Sequence, residues 1–100
     1  MDVYAAISDP SRRAILDLLL EGDRAAHELL GAFRFSQPAL SKHLRVLREH
    51  GLVSMRKRGR EHLYHLEARQ LREVSQWVAH YERFWNEKLD RLGNLLEDMP

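Results

Sequence analysis

The spacing of apolar residues changes period twice along this chain, and those two changes restrict the folds open to it. Up to Gly51 the apolar positions recur at helical intervals. From Leu52 to Leu66 they fall in two short runs of strand character, and from about Ala68 the helical interval returns and persists almost to the end. A chain of 100 residues with this order and no flexible linker or internal repeat reads as one domain, residues 1–100.

The punctuation between the runs is as informative as the runs. Val3 to Ile7 is a short apolar stretch at helical spacing, and Ser8-Asp9-Pro10 reads as a stop followed by a capped restart. From Ser11 to Glu21, Ala14, Ile15, Leu18 and Leu19 form a helical stripe that Gly22-Asp23 ends. Ala26, Leu29, Leu30 and Phe33 predict an amphipathic helix over Ala25 to Phe33, and Phe33-Arg34-Phe35 is only long enough for a tight connection. Ser36 is the expected N-cap of a helix over about 36–50, with Leu40, Leu44 and Leu47 on its inner face and Gly51 just past its end. Leu52 to Arg58 and Glu61 to Leu66 predict two strands joined at Arg58-Gly59-Arg60, a β-hairpin over about 53–66. The last helix should run over about 68–96. The fold expected is mainly α with a small β-hairpin: a winged helix-turn-helix with a long C-terminal dimerisation helix.

Charge singles out the middle of the chain. The whole carries +1, but the stretch from Arg34 to His62 holds Arg34, Lys42, Arg45, Arg48, Arg56, Lys57, Arg58 and Arg60 against only Glu49 and Glu61, a balance of +6. The remainder balances at −5. A basic third on a near-neutral protein suits a polyanion better than a small acidic substrate. Within the 36–50 helix, Gln37, Ser41, Arg45 and Arg48 follow one another at i, i+4, i+8 and i+11 on the polar face, with Lys42 beside them. These side chains match base edges and phosphates of a major groove: Gln for adenine, Arg for guanine, Ser for several edges. Ser36 adds free backbone N–H groups at the helix start, suited to a phosphate. Arg56, Lys57, Arg58 and Arg60 crowd around a Gly turn, where like charges need an external anion. The expected DNA-binding set is therefore Ser36, Gln37, Ser41, Lys42, Arg45, Arg56, Arg58 and Arg60, and the expected partner is double-stranded DNA.

Other classes are poorly supplied. There is no Cys, which excludes disulfide scaffolds and thiolate metal sites. His27-Glu28 opens like a zinc-protease motif, but Gly31 stands where the second ligand would be. His62 and His65, three apart on a strand, point to opposite faces. His43 and His50 are expected to pack or to touch phosphate. No catalytic order of residues is present, so no enzyme, cofactor or metal site is expected. No apolar run approaches the ~20 residues of a membrane span, and Met1-Asp2-Val3-Tyr4 does not open like a secretory signal. A cytoplasmic protein is expected.

In the final helix Leu71, Val78, Trp85 and Leu92 recur every seven residues. Val74, Tyr81 and Leu95 take the companion positions, Lys88 interrupts, and Trp77 and Phe84 form a second flank. This stripe is too wide for so small a domain to cover, so a second copy is the expected cover. The interface expected comprises Val3, Tyr4, Val74, Trp77, Val78, Tyr81, Trp85 and Leu92. A two-fold dimer would set two 36–50 helices in successive major grooves about 34 Å apart.

These residues also resemble a known family. Ile7-Ser8-Asp9-Pro10-Ser11-Arg12-Arg13-Ala14-Ile15-Leu16 is similar to the opening of ArsR-type bacterial repressors. The run from Phe35 to Val53 looks like their recognition helix and its exit, and Arg58-Gly59-Arg60 followed by Tyr64 looks like their wing. The resemblance implies a homodimeric winged-helix repressor that binds an operator near its own promoter, with Gln37, Ser41, Lys42 and Arg45 facing DNA. Metal-responsive members use Cys on the helix corresponding to Ala25 to Phe33, where Ala25-Ala26-His27 has no thiol. Others use Asp, His and Glu on the last helix, where only His80 with Glu73, Glu82 or Glu87 could contribute. Tyr81-Glu82-Arg83-Phe84-Trp85 looks instead like the metal-free branch, whose effector the sequence does not name. The alternatives are a metal-responsive repressor and a winged-helix assembly module without DNA binding.

Overall fold

The computed structural model describes residues 2–97. In chain order the elements are α1 (Val3–Ile7), α2 (Pro10–Glu21), β1 (Arg24–Ala25), α3 (Ala26–Ala32), α4 (Gln37–Glu49), β2 (Val53–Arg58), β3 (Glu61–Leu66), a 3-10 turn (Ala68–Leu71) and α5 (Arg72–Glu97).

Each helix start has a local cause. The Asp2 carboxylate accepts from the Ala5 N–H at 3.2 Å. Asp9 accepts from the N–H groups of Ser11 and Arg12 at 2.7 and 3.1 Å, with Pro10 in the first turn. Ser36 Oγ accepts from the Ala39 N–H at 3.2 Å. The end of α4 is a Schellman motif. The Gly51 N–H donates to the Arg48 carbonyl and the Leu52 N–H to the Leu47 carbonyl, with Gly51 at φ +74°. That motif turns Leu52 back into the core beside Leu47, both fully buried, and launches β2.

β2 and β3 pair antiparallel from Val53 opposite Leu66 to Arg58 opposite Glu61, leaving Gly59-Arg60 as a two-residue loop. Gly59 has φ +61°, and among the described residues only glycines have positive φ, so the Gly59-Arg60 loop fits a type II′ hairpin turn. The Glu67 N–H donates to the Leu52 carbonyl at 2.8 Å, closing the base of the hairpin.

Two expectations need correction here. The sheet has three strands, not two: Arg24 and Ala25 pair antiparallel with Tyr64 and Leu63, giving the order β1-β3-β2. α3 therefore starts at Ala26, and Ala25 is the extended residue before it, its N–H held by the Glu28 carboxylate at 3.0 Å. Two paired residues are too few to show a period in sequence. Likewise residues 68–71 form a 3-10 turn, and α-helical geometry begins only at Arg72.

The core lies among α1, α2, α3, α4 and the hairpin base. It comprises Val3, Ala6, Ile15, Leu16, Leu19, Leu29, Leu40, Leu44, Leu47, Leu52 and Val53, with Leu71 and Val74 packed at its edge. No charged or polar residue is buried in it among the described residues. Val3, expected at a subunit interface, is 3% exposed within this core. Its side chain fills the protomer's own interior and leaves no surface for a second copy.

Candidate nucleic-acid interface

α4 presents two opposed faces because its leucines and its polar residues are offset on a 3.6-residue period. Leu40, Leu44 and Leu47 are buried, and Gln37, Ser41, Lys42, Arg45 and Arg48 are all exposed, as is Ser36 at the cap. The wing exposes Arg56, Lys57, Arg58 and Arg60 in the same way. Among the described residues, no carboxylate lies within 4.0 Å of Lys42, Arg48, Lys57, Arg58 or Arg60. Their charge is uncompensated at short range, a condition that favours an external polyanion.

The expected set does not form a single cluster. Gln37, Ser41 and Arg60 line one cleft of about 340 Å³ between α3, α4 and the wing, floored by Leu30, Leu40 and Leu44. This cleft joins the start of α4 to the tip of the hairpin. Arg45 sits toward the other end of α4, its Nε 3.8 Å from Glu49. Arg56 turns toward the helical body, its guanidinium 3.7 Å from Asp23. Asp23 also meets His65 Nδ1 at 2.7 Å, so one carboxylate holds side chains from β2 and β3. Forty-two residues separate Asp23 from His65, and nothing in the sequence links them. A second cross-element pair, His27 Nδ1 with Glu61 at 3.5 Å, joins α3 to the start of β3.

Two further histidines meet partners within the protomer. The His43 ring lies edge-on to Phe35 at 5.4 Å, and Phe35 stacks on Phe33 at 5.0 Å. His50 Nδ1 accepts from the Asp2 N–H at 3.0 Å. Tyr4 and Asp9 have shifted pKa values. Partial burial would raise the pKa of Asp9, but the N–H donors of Arg12 and Ser11, with the charges of Arg12 and His43, outweigh it and hold the carboxyl below its ordinary value. Desolvation, then Glu73 and Asp2, push the Tyr4 phenol up, so it stays protonated and donates to the Glu73 carbonyl at 3.3 Å. Among the described residues no three His, Asp or Glu side chains gather into a metal-holding group, and no helix is long and apolar enough to cross a membrane.

A second surface runs along α5. Tyr4, Trp77, Tyr81 and Trp85 form an aromatic ladder with centroid spacings of 6.0, 5.3 and 6.5 Å. Those four residues are exposed, as are Phe84, Leu89, Leu92, Leu95 and Leu96. Val74 and Val78 are half-buried, and Val74 packs against the protomer's own core. Lys88, which interrupts the seven-residue repeat, lies over the Phe84 ring at 4.5 Å from its centroid, so its stem extends the apolar face rather than breaking it.

A short-turned helix pair, an outward polar face on the second helix and a basic hairpin beside it define a winged helix-turn-helix DNA-binding regulator. A family model described as "Bacterial regulatory protein, arsR family" matches residues 9–55. The transcriptional repressor SdpR of Bacillus subtilis is 36% identical over 80 residues, covering 80% of this chain and 89% of that protein. The chain belongs to the arsR family, a family of transcriptional regulators rather than enzymes.

Other relatives agree in kind. The arsenical resistance operon repressor of Staphylococcus xylosus is 48% identical over 64 residues, 64% of this chain, and the match spans only 62% of that protein's length. Among solved structures, an ArsR-like transcriptional regulator from Rhodococcus sp. RHA1 superposes with a TM-score of 0.70 at 32% identity, covering 97% of this chain and 92% of that one. A homodimeric winged helix-turn-helix DNA-binding domain from Mycobacterium bovis superposes with a TM-score of 0.64 at 30% identity, covering 78% and 75%.

Proposed function

We propose that this chain is a metal-independent, homodimeric repressor that binds a near-palindromic operator close to its own promoter. Each α4 enters a major groove, with Gln37, Ser41 and Arg45 at base edges and Lys42 and Ser36 at phosphates. Each wing carries Arg58 and Arg60 to the flanking backbone or minor groove, and Arg56 joins them from the middle of β2. The observation that carries this reading is the cleft that joins Gln37 and Ser41 of α4 to Arg60 of the wing, beside cations that no carboxylate offsets. The exposed ladder on α5 supports the dimer, because isologous contact of two such faces covers both at once. The homodimeric neighbour from Mycobacterium bovis supports the same arrangement.

Selection of bound duplexes from a random pool tests the reading. A two-fold-symmetric consensus with half-sites about one helical turn apart is the expected result. Arg58→Ala/Arg60→Ala should weaken binding on every sequence and flatten the dependence on salt by about two phosphate contacts. Gln37→Ala should change preference at one base position. Recovery of no consensus, with wild-type and double-mutant binding equal across salt concentrations, would overturn the assignment.

A further inference from the structure

α1 has only five residues, too few to hold a helix in water without tertiary support. Its place in the molecule is set by contacts on three sides, and each side leads somewhere different. At its start, the backbone N–H of the cap residue Asp2 donates to His50 Nδ1 at 3.0 Å, and His50 is the residue that ends the recognition helix. At its end, Arg12 Nε donates to the Ala6 carbonyl at 2.6 Å and Arg12 Nη2 to the Ala5 carbonyl at 3.1 Å. Arg13 Nη1 donates to the Ile7 carbonyl at 2.7 Å, so α2 holds the last three carbonyls of α1. On its outer side, Tyr4 donates to the Glu73 carbonyl and sets its ring edge-on to Trp77, the first rung of the exposed α5 ladder. Val3 and Ala6 meanwhile lock the inner side into the core.

From these contacts we propose that α1 is a strut coupling the dimer face of α5 to the recognition helix, with His50 and Arg12 as its positioning residues. This rests on the function proposed above. A second copy that covers Tyr4 and Trp77 immobilises α1, and α1 in turn fixes the exit of α4 through His50. The ordering that DNA would otherwise impose on α4 is then already complete, so dimerisation strengthens the grip of each protomer on its own half-site. By linkage, a half-site must strengthen dimerisation by the same factor.

A duplex of about ten base pairs carrying one half of the selected site separates this effect from simple two-site binding, because it seats a single α4. The dimer dissociation constant of the full chain is measured by sedimentation with and without a saturating amount of that duplex. Saturation should tighten the wild-type dimer about fivefold or more, within the usual range of such couplings. His50→Ala should reduce the factor below about twofold while still binding the half-site and giving a wild-type circular dichroism spectrum. Tyr4→Phe, which keeps the ring on Trp77 and loses only the bond to Glu73, should give an intermediate factor and serves if His50→Ala does not fold. An unchanged wild-type dimer constant on a duplex that does bind overturns the strut alone, and so does full coupling in both variants. Failure of the wild type to bind any duplex at low salt overturns the DNA reading and the strut together.

Discussion

Asp9 shows how much one side chain can settle. Its carboxylate takes the first two free N–H groups of α2 and lies 3.8 Å from Arg12 Nη1, which is why its pKa falls below the ordinary carboxylate value despite partial burial. A depressed folded-state pKa contributes stability above the unfolded value of about 3.9, and that contribution is lost as pH falls through the folded value. Asp9→Asn keeps an N-cap but removes the charge. Wild type should therefore be more stable than Asp9→Asn in urea at neutral pH, and the difference should vanish in strong acid. A difference that persists at low pH would show that the charge is not what matters. Gly59 makes the opposite kind of case. Nothing lies within 4 Å of the position a Cβ would take, so the cost of Gly59→Ala is purely the positive φ, about 1–2 kcal/mol. Thermal unfolding should show that loss, and Gly59→Asn should recover part of it.

Elements were readable from sequence where a period and a cap coincide. α4 is the best case: Ser36, the three leucines and Gly51 each mark a different part of it, and each performs the marked role in the structure. The exposed polar residues of α4 could be named in advance because its inner face was already committed to leucine. β1 escaped notice because a two-residue strand has no period, and its partner β3 lies some forty residues away. The Asp23 contacts with Arg56 and His65 escaped for the same reason, since only folding brings those residues together. Ser36 offers an elementary test of how far α4 depends on its cap. Ser36→Ala removes the acceptor for the Ala39 N–H and should cost about 1 kcal/mol of stability by urea denaturation. DNA affinity should drop more than that stability loss predicts, since the same turn carries Gln37. Equal affinity in the two proteins would place the DNA contacts farther along the helix.

The molecule is 66 Å in its longest dimension, and its longest element is α5, 26 residues and about 39 Å. This helix meets the core only near its start, through Val74, with Leu71 of the preceding 3-10 turn beside it. From Ala79 to Glu97 almost every residue is exposed, including three aromatics and four leucines. Exposed apolar surface on that scale is unfavourable in water and disappears if two α5 faces meet about a two-fold axis. Trp85 lies in the middle of this face, so a change there is felt twice in an isologous interface. Trp85→Glu should convert the dimer to monomer in sedimentation while leaving the fold of residues 2–71 intact, because Trp85 is outside the core. The same variant should lose at least tenfold in affinity for the full two-fold site, because two half-sites no longer share one dimer. Its affinity for an isolated half-site should fall only by the factor that the strut transmits. A Trp85→Glu protein that remained dimeric would move the interface off α5, and the spacing of the two recognition helices would have to be derived from another face.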